Sequence, residues 1–88
     1  MTKYERNYRF YDGFNIVEEG KKDFVYIRRR EKELAEQMGK TIRCEVHNEY
    51  LNRWQYVGHT QPDGIFISAF GDRCTLEEDG RGYTIIKD

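Results

Sequence analysis

Residues 23–39, DFVYIRRREKELAEQMG, decide the fold, because in this 88-residue chain they read as a helix among segments that read as strands. Asp23 has the side chain of an N-cap, able to accept from backbone N–H groups that a first helical turn leaves without partners. Gly39 suits the left-handed residue that follows a helix. Between them Phe24, Ile27, Leu34, Ala35 and Met38 recur at helical spacing, and Arg28 and Glu31 interrupt that face. Arg29 with Glu33 and Lys32 with Glu36 stand four apart, which gives weak support on the outer surface. The competing assignment makes Phe24 to Arg28 a strand, since FVYI has high β propensity, and starts a shorter helix near Arg30. The long helix is the preferred reading.

Upstream of the helix, NYRFY and FNIVE flank Asp12-Gly13, a pair that tolerates the positive φ angles of a two-residue type I′ hairpin turn. That turn places Tyr8 and Phe10 on one face with Phe14 and Ile16, and Glu19 to Lys22 ends the hairpin. Downstream the period changes to two. Ile42, Cys44 and Val46 alternate with Arg43, Glu45 and His47, as in a half-buried antiparallel strand. A turn over 47–52 leads to a strand from Arg53 to His59, and Gln61-Pro62-Asp63-Gly64 has turn chemistry. Ile65 to Phe70 is apolar on both faces. Arg73 to Glu77 and Gly82 to Ile86 form a final hairpin around residues 78–81. The expected class is α+β in the order β-β-α-β-β-β-β: a mostly antiparallel, curled sheet of five to six strands with one helix, either open or a partly open barrel that the helix plugs.

No repeat, low-complexity tract or linker divides the chain, so residues 1–88 read as one domain. Met1 at the start and the apolar pair Ile85 and Ile86 near the end suggest a complete stand-alone protein. A chain of this length buries about 60–65% of its unfolded surface, enough for one core. Fifteen Lys and Arg stand against 16 Asp and Glu, for a formal charge of −1 and a pI near 6.1. Duplex binding calls for a basic excess and nucleic-acid mimicry for a large acidic one, so neither fits the whole surface. Apolar runs stop at four residues, too short for a membrane span or a signal segment. Cys44 and Cys74 are too few for a secreted disulfide scaffold, and both read as free thiols in the cytoplasm.

Residue types with catalytic or ligating chemistry do not assemble by spacing. Cys44, His47, His59 and Cys74 follow no ordinary zinc pattern, and His47 lies an odd number of residues from Cys44, on the opposite strand face. Ser68 lacks the glycine-flanked elbow that exposes a nucleophile, and inward-facing thiols are inert. Glu18-Glu19 and Glu77-Glu78-Asp79 are neighbours that point to opposite faces or sit in turns, and Asp79 to Gly82 precedes no helix. The chain therefore reads as a non-enzyme without metal or cofactor.

Thirteen aromatic residues, seven of them tyrosine, exceed what one small core needs. Surface aromatics mark protein contacts. The leading expectation is a small regulatory protein, an inhibitor, adaptor or subunit that binds a larger intracellular protein partner, with an origin in a phage or mobile element as a prior about short chains. Its candidate contact residues are Tyr4, Tyr11, Tyr50, Trp54, Arg28, Arg29 and Arg30. The arginines fan over about 200° of a helix and alternate with Glu31, Glu33 and Glu36, so a salt-bridged solvent face competes with a binding role. The alternative function is single-stranded RNA binding, with Trp54, Tyr56 and Phe66 stacking on bases and the Arg28–Arg30 cluster meeting phosphates. Homodimerisation through a sheet edge is a further option.

Overall fold

The structure, a computed structural model, describes residues 4–87. Its elements are β1 Glu5–Tyr11, β2 Ile16–Asp23, α1 Phe24–Met38, β3 Ile42–Asn48, β4 Arg53–Thr60, β5 Phe66–Ser68, β6 Arg73–Leu76 and β7 Tyr83–Ile85. The class is α+β. The described strands number seven rather than five to six, and they form one antiparallel sheet in the order β2-β1-β3-β4-β5-β6-β7. β2 and β7 are its two edges, so the sheet is open and not a barrel. From β3 onward the chain is a meander; α1 makes the single crossover, carrying the chain from β2 past β1 to β3.

The long helix forms as its sequence dictates. The Asp23 side chain accepts from the Tyr26 N–H at 2.9 Å, and Gly39 takes the left-handed conformation with its N–H donating to the Ala35 carbonyl. Ile27, Glu31, Leu34 and Ala35 form the buried stripe. They pack on Tyr8 and Phe10 of β1 and on Ile42, Cys44 and Val46 of β3. Glu31 does not interrupt this face but lies within it, 1% exposed. Arg29 makes no pair with Glu33; it turns to the Glu78 carbonyl, and Arg30 pairs with Glu33 and Glu18.

Two β-bulges correct the strict period of two. The first lies in the β1–β2 pair, where Phe10 faces Glu18 and Tyr11 faces Ile16, leaving Val17 as the extra residue packed toward the core. The hairpin turn is shifted by one residue from the expected position. Asp12 donates to the Asn15 carbonyl at 3.0 Å, so Gly13 and Phe14 are the central pair, with positive φ at Gly13. Phe14 is thereby thrown to the turn tip, fully exposed, and Ile16 lies with Tyr11 on the side away from Tyr8 and Phe10. The hairpin also runs on through Glu19 to Lys22, with Asp23 still paired to Glu5. The second bulge lies between β3 and β4, where Val57 is the extra residue and turns inward.

A helix about 10 Å wide covers only part of a sheet whose seven strands span about 29 Å. The molecule measures 36 × 31 × 23 Å, two layers deep. α1 lies over β1 to β4. The β5–β7 flank curls back to the helix through the turn before β7: Arg28 donates to the Arg81 carbonyl at 2.9 Å and Arg29 to the Glu78 carbonyl at 2.9 Å. Beneath this turn Phe66 and Tyr83 stack 4.1 Å apart. β5 is shorter than the expected Ile65 to Phe70, and Phe70 is exposed in the turn that follows. No helix among the described residues is long and apolar enough to cross a membrane.

Candidate functional site on the open sheet face

Because the helix covers one face of the sheet, no layer of the described residues lies over the other face of β1, β3 and β4. Alternation from Tyr8 and Phe10 inward puts Asn7, Arg9 and Tyr11 on this open face; Arg43, Glu45 and His47 join them from β3. Register then brings Trp54 opposite His47 and Tyr56 opposite Glu45. The β4 bulge adds His59, which sits opposite Arg43. Tyr56 and His59 are three residues apart and would face opposite sides of a regular strand; the extra residue Val57 brings both to one side. Their side chains share a hydrogen bond of 2.6 Å between the Tyr56 hydroxyl and His59 Nδ1. Desolvation pushes the Tyr56 phenol up from its ordinary pKa, which keeps the hydroxyl protonated.

Arg9 organises the centre of the face. Its guanidinium lies 4.0 Å from the Trp54 ring centroid and 5.6 Å from that of Tyr11, while Nε donates to Glu45 Oε1 at 2.8 Å. The ion pair fixes the plane of the guanidinium, and the rings flank it by cation–π attraction. Arg43 lies over Tyr11 at 5.3 Å, and the His47 ring meets Trp54 edge-on at 5.4 Å. Trp54 is 36% exposed and Tyr56 42%. Beside them, a shallow groove of about 370 Å³ is lined by Asn7, Tyr8, Glu19, Gly20 and Trp54. The result is a preorganised, amphipathic platform of large side chains with near-balanced charge.

The residues singled out from sequence fall in separate places. Tyr11 and Trp54 meet at Arg9 on the open face. Tyr50 projects from the β3–β4 turn, exposed. Tyr4, also exposed, leans on Arg6 just ahead of β1. Arg28, Arg29 and Arg30 lie in the helical layer on the other side of the sheet, with their guanidinium groups engaged on the 77–82 turn and on Glu18. Phe66 is buried on the helix side, apart from Trp54 and Tyr56. Arg9 was missed, and His47 and His59 were weighed only as metal ligands, because the neighbours that make all three part of the platform come from other strands and from a bulge. Alternation in β1 was the available signal, since it places Arg9 between two buried aromatics and hence on the other face.

Cys44 and Cys74 are free and buried, and burial pushes both thiols up from their ordinary pKa. Among the described residues no three His, Cys, Asp or Glu side chains converge as metal ligands do. Comparisons with protein-family models, curated proteins and solved structures find nothing that matches this chain.

Proposed function

We propose that the chain is a protein-interaction module that binds a larger protein partner through the open face of β1, β3 and β4, with Arg9, Trp54 and Tyr56 as the anchors. The observation that carries this reading is the Arg9–Trp54–Glu45 arrangement. Tryptophan, tyrosine and arginine are the residue types that dominate binding energy at protein interfaces, most of all when they are held rigid before the partner arrives. Here a side chain that usually costs rotamer entropy to order is already locked by an ion pair and two rings.

The same arrangement weighs against single-stranded nucleic acid as the ligand. Base stacking needs a free ring face, and Arg9 occupies one face of Trp54. The guanidinium that would meet a phosphate is neutralised by Glu45. The Arg28–Arg30 cluster lies in the other layer, on the 77–82 turn and Glu18, so it does not share a surface with Trp54 and Tyr56.

The test is affinity capture from nuclease-treated lysate of the native host, read by mass spectrometry, with wild type against Trp54→Ala/Tyr56→Ala. The expected result is a protein captured by wild type and reduced about 30-fold or more by the double variant, the loss typical of a hot spot of about 2 kcal/mol. Equal capture by both proteins, or capture that nuclease abolishes, would count against the reading.

A further inference from the structure

β2 is a long edge strand with a charge sequence that is complementary to itself. It reads Glu18-Glu19-Gly20-Lys21-Lys22, and among the described residues only one side of it is hydrogen-bonded, to β1. An unpaired edge presents a row of free N–H and C=O groups that another strand can fill, and charged residues on such an edge normally repel a visitor. In this strand the charges are also complementary to the strand's own sequence run antiparallel. We infer that a second copy of this chain pairs antiparallel along β2, on a two-fold axis through Gly20, to form one continuous sheet across two protomers.

In that register Glu19 stands opposite the partner's Lys21 and Glu18 opposite the partner's Lys22, and the symmetry repeats both pairs. All four are opposite-charge pairs, the arrangement that stabilises neighbouring strands. Antiparallel partners must point to the same side of the sheet, so registers slip by whole two-residue steps of pairing. Moving the axis to residue 19 sets Glu19 against Glu19, and moving it to residue 21 sets Lys21 against Lys21. Of these three registers, the axis on Gly20 is the one that sets no like charges directly opposite each other. Glu19, Gly20, Lys21 and Lys22 are all exposed. Gly20 at the centre carries no side chain, and its space is bordered by the Tyr8 hydroxyl, 3.3 Å from where a Cβ would stand. Glu18 is turned inward to Arg30 and the Tyr8 hydroxyl, so the exposed Glu19–Lys21 pairs carry the recognition. A perpendicular two-fold places both helices on one side and both Arg9–Trp54 platforms on the other, so the pair presents two copies of the open face in one plane.

The experiment is sedimentation equilibrium of the full chain over a range of concentrations, with Glu19→Lys, Lys21→Glu and the double variant carrying both. Glu19 and Lys21 are exposed and make no contact in the core, so each variant keeps the fold. Wild type is expected to dimerise, and each single variant to dimerise about tenfold or more weakly, since each turns two attractive pairs into two repulsive ones. Mixing the two single variants restores a heterodimer of native strength, and the double variant dimerises like wild type because exchanging both charges restores complementarity. A wild type that stays monomeric at about 1 mM, a regime of negligible affinity, overturns the inference. So do single variants that dimerise as well as wild type. Neither outcome touches Trp54 or Tyr56, so the proposal for the open face stands or falls separately.

Discussion

Glu31 is a carboxylic acid placed where a helix normally buries a leucine, between Ile27 and Leu34. Among the described residues its Oε2 has no hydrogen-bond partner. Burial dominates its titration, offset in part by the Thr60 hydroxyl and backbone, and pushes its pKa up to about 8. In the unfolded chain the same group ionises near 4.5. Between these values the unfolded state holds fewer protons than the folded state, so stability falls as pH rises, by up to about 1.4 kcal/mol per pH unit, and the decline ends above the folded pKa. Denaturant titrations from pH 5 to pH 9 are expected to show this slope for wild type and a much flatter profile for Glu31→Gln, which is neutral throughout and gains about 2 kcal/mol or more over wild type at pH 8. Parallel profiles would sink the assignment. Gly58 is the second residue on which much depends. Its φ is +150°, and a Cβ there would lie 2.4 Å from Phe66 Cζ and 2.5 Å from the Ile67 carbonyl oxygen. Backbone cannot retreat as a flexible side chain can, so Gly58→Ala is expected to cost about 2 kcal/mol or more, read from the denaturation midpoint at unchanged m.

At the scale of elements, the helix was legible because its signals are local: Asp23, the 3.6-residue recurrence and Gly39 all act within one segment. The sheet was legible in class but not in detail, and both misplacements have the same physical origin. A bulge depends on which partner strand supplies the register, so nothing within Phe10 to Glu18 or Tyr56 to His59 alone announces that Val17 and Val57 are extra residues. The shifted turn followed from the first bulge, and it left Phe14 at a tip rather than in a strand. The open-face site suffered from the same limit, since Trp54 stood out by type while Arg9 gains its meaning only when β1, β3 and β4 are laid side by side. The arginine run was legible as a charged helical face but not as the clamp on the 77–82 turn. Val25 and Arg29 lie so close to Gly80 that a Cβ there would stand 3.0 Å from Val25 Cγ1 and 2.8 Å from Arg29 Nε. Arg28→Ala/Arg29→Ala is therefore expected to raise hydrogen exchange in residues 77–82 by about tenfold or more, the loss of about 1.5 kcal/mol from charge-assisted bonds, while exchange in β1 and β3 stays unchanged. Uniform acceleration across the sheet is the result that contradicts a local clamp.

At the scale of the whole molecule, the two thiols report on how evenly the fold is held. The principal core is built from α1, β1 and β3: Tyr8, Phe10, Ile27, Leu34, Ala35, Ile42, Cys44 and Val46. Cys44 sits inside it, and reaching its sulfur requires separating the helix from the sheet. Cys74 is also buried, yet it lies on β6 in the flank the helix does not cover, packed near Phe66 and tied to the helical layer mainly by two arginines and a turn. Short strands with few apolar contacts open by sub-global fluctuations well below the free energy of complete unfolding. Burial keeps both thiols protonated in the closed state, so each reacts only when its environment opens, and the ratio of rates measures the difference between the two openings. With an excess of a thiol reagent at pH 8, Cys74 is expected to be modified at least about tenfold faster than Cys44, a gap of about 1.4 kcal/mol in opening free energy, and denaturant is expected to narrow that gap as global unfolding takes over. Peptide mapping after partial modification separates the two sites. Equal rates at every denaturant concentration would mean that β5–β7 opens only with the rest of the fold, and that the curled flank is as integral to the molecule as the helix it meets.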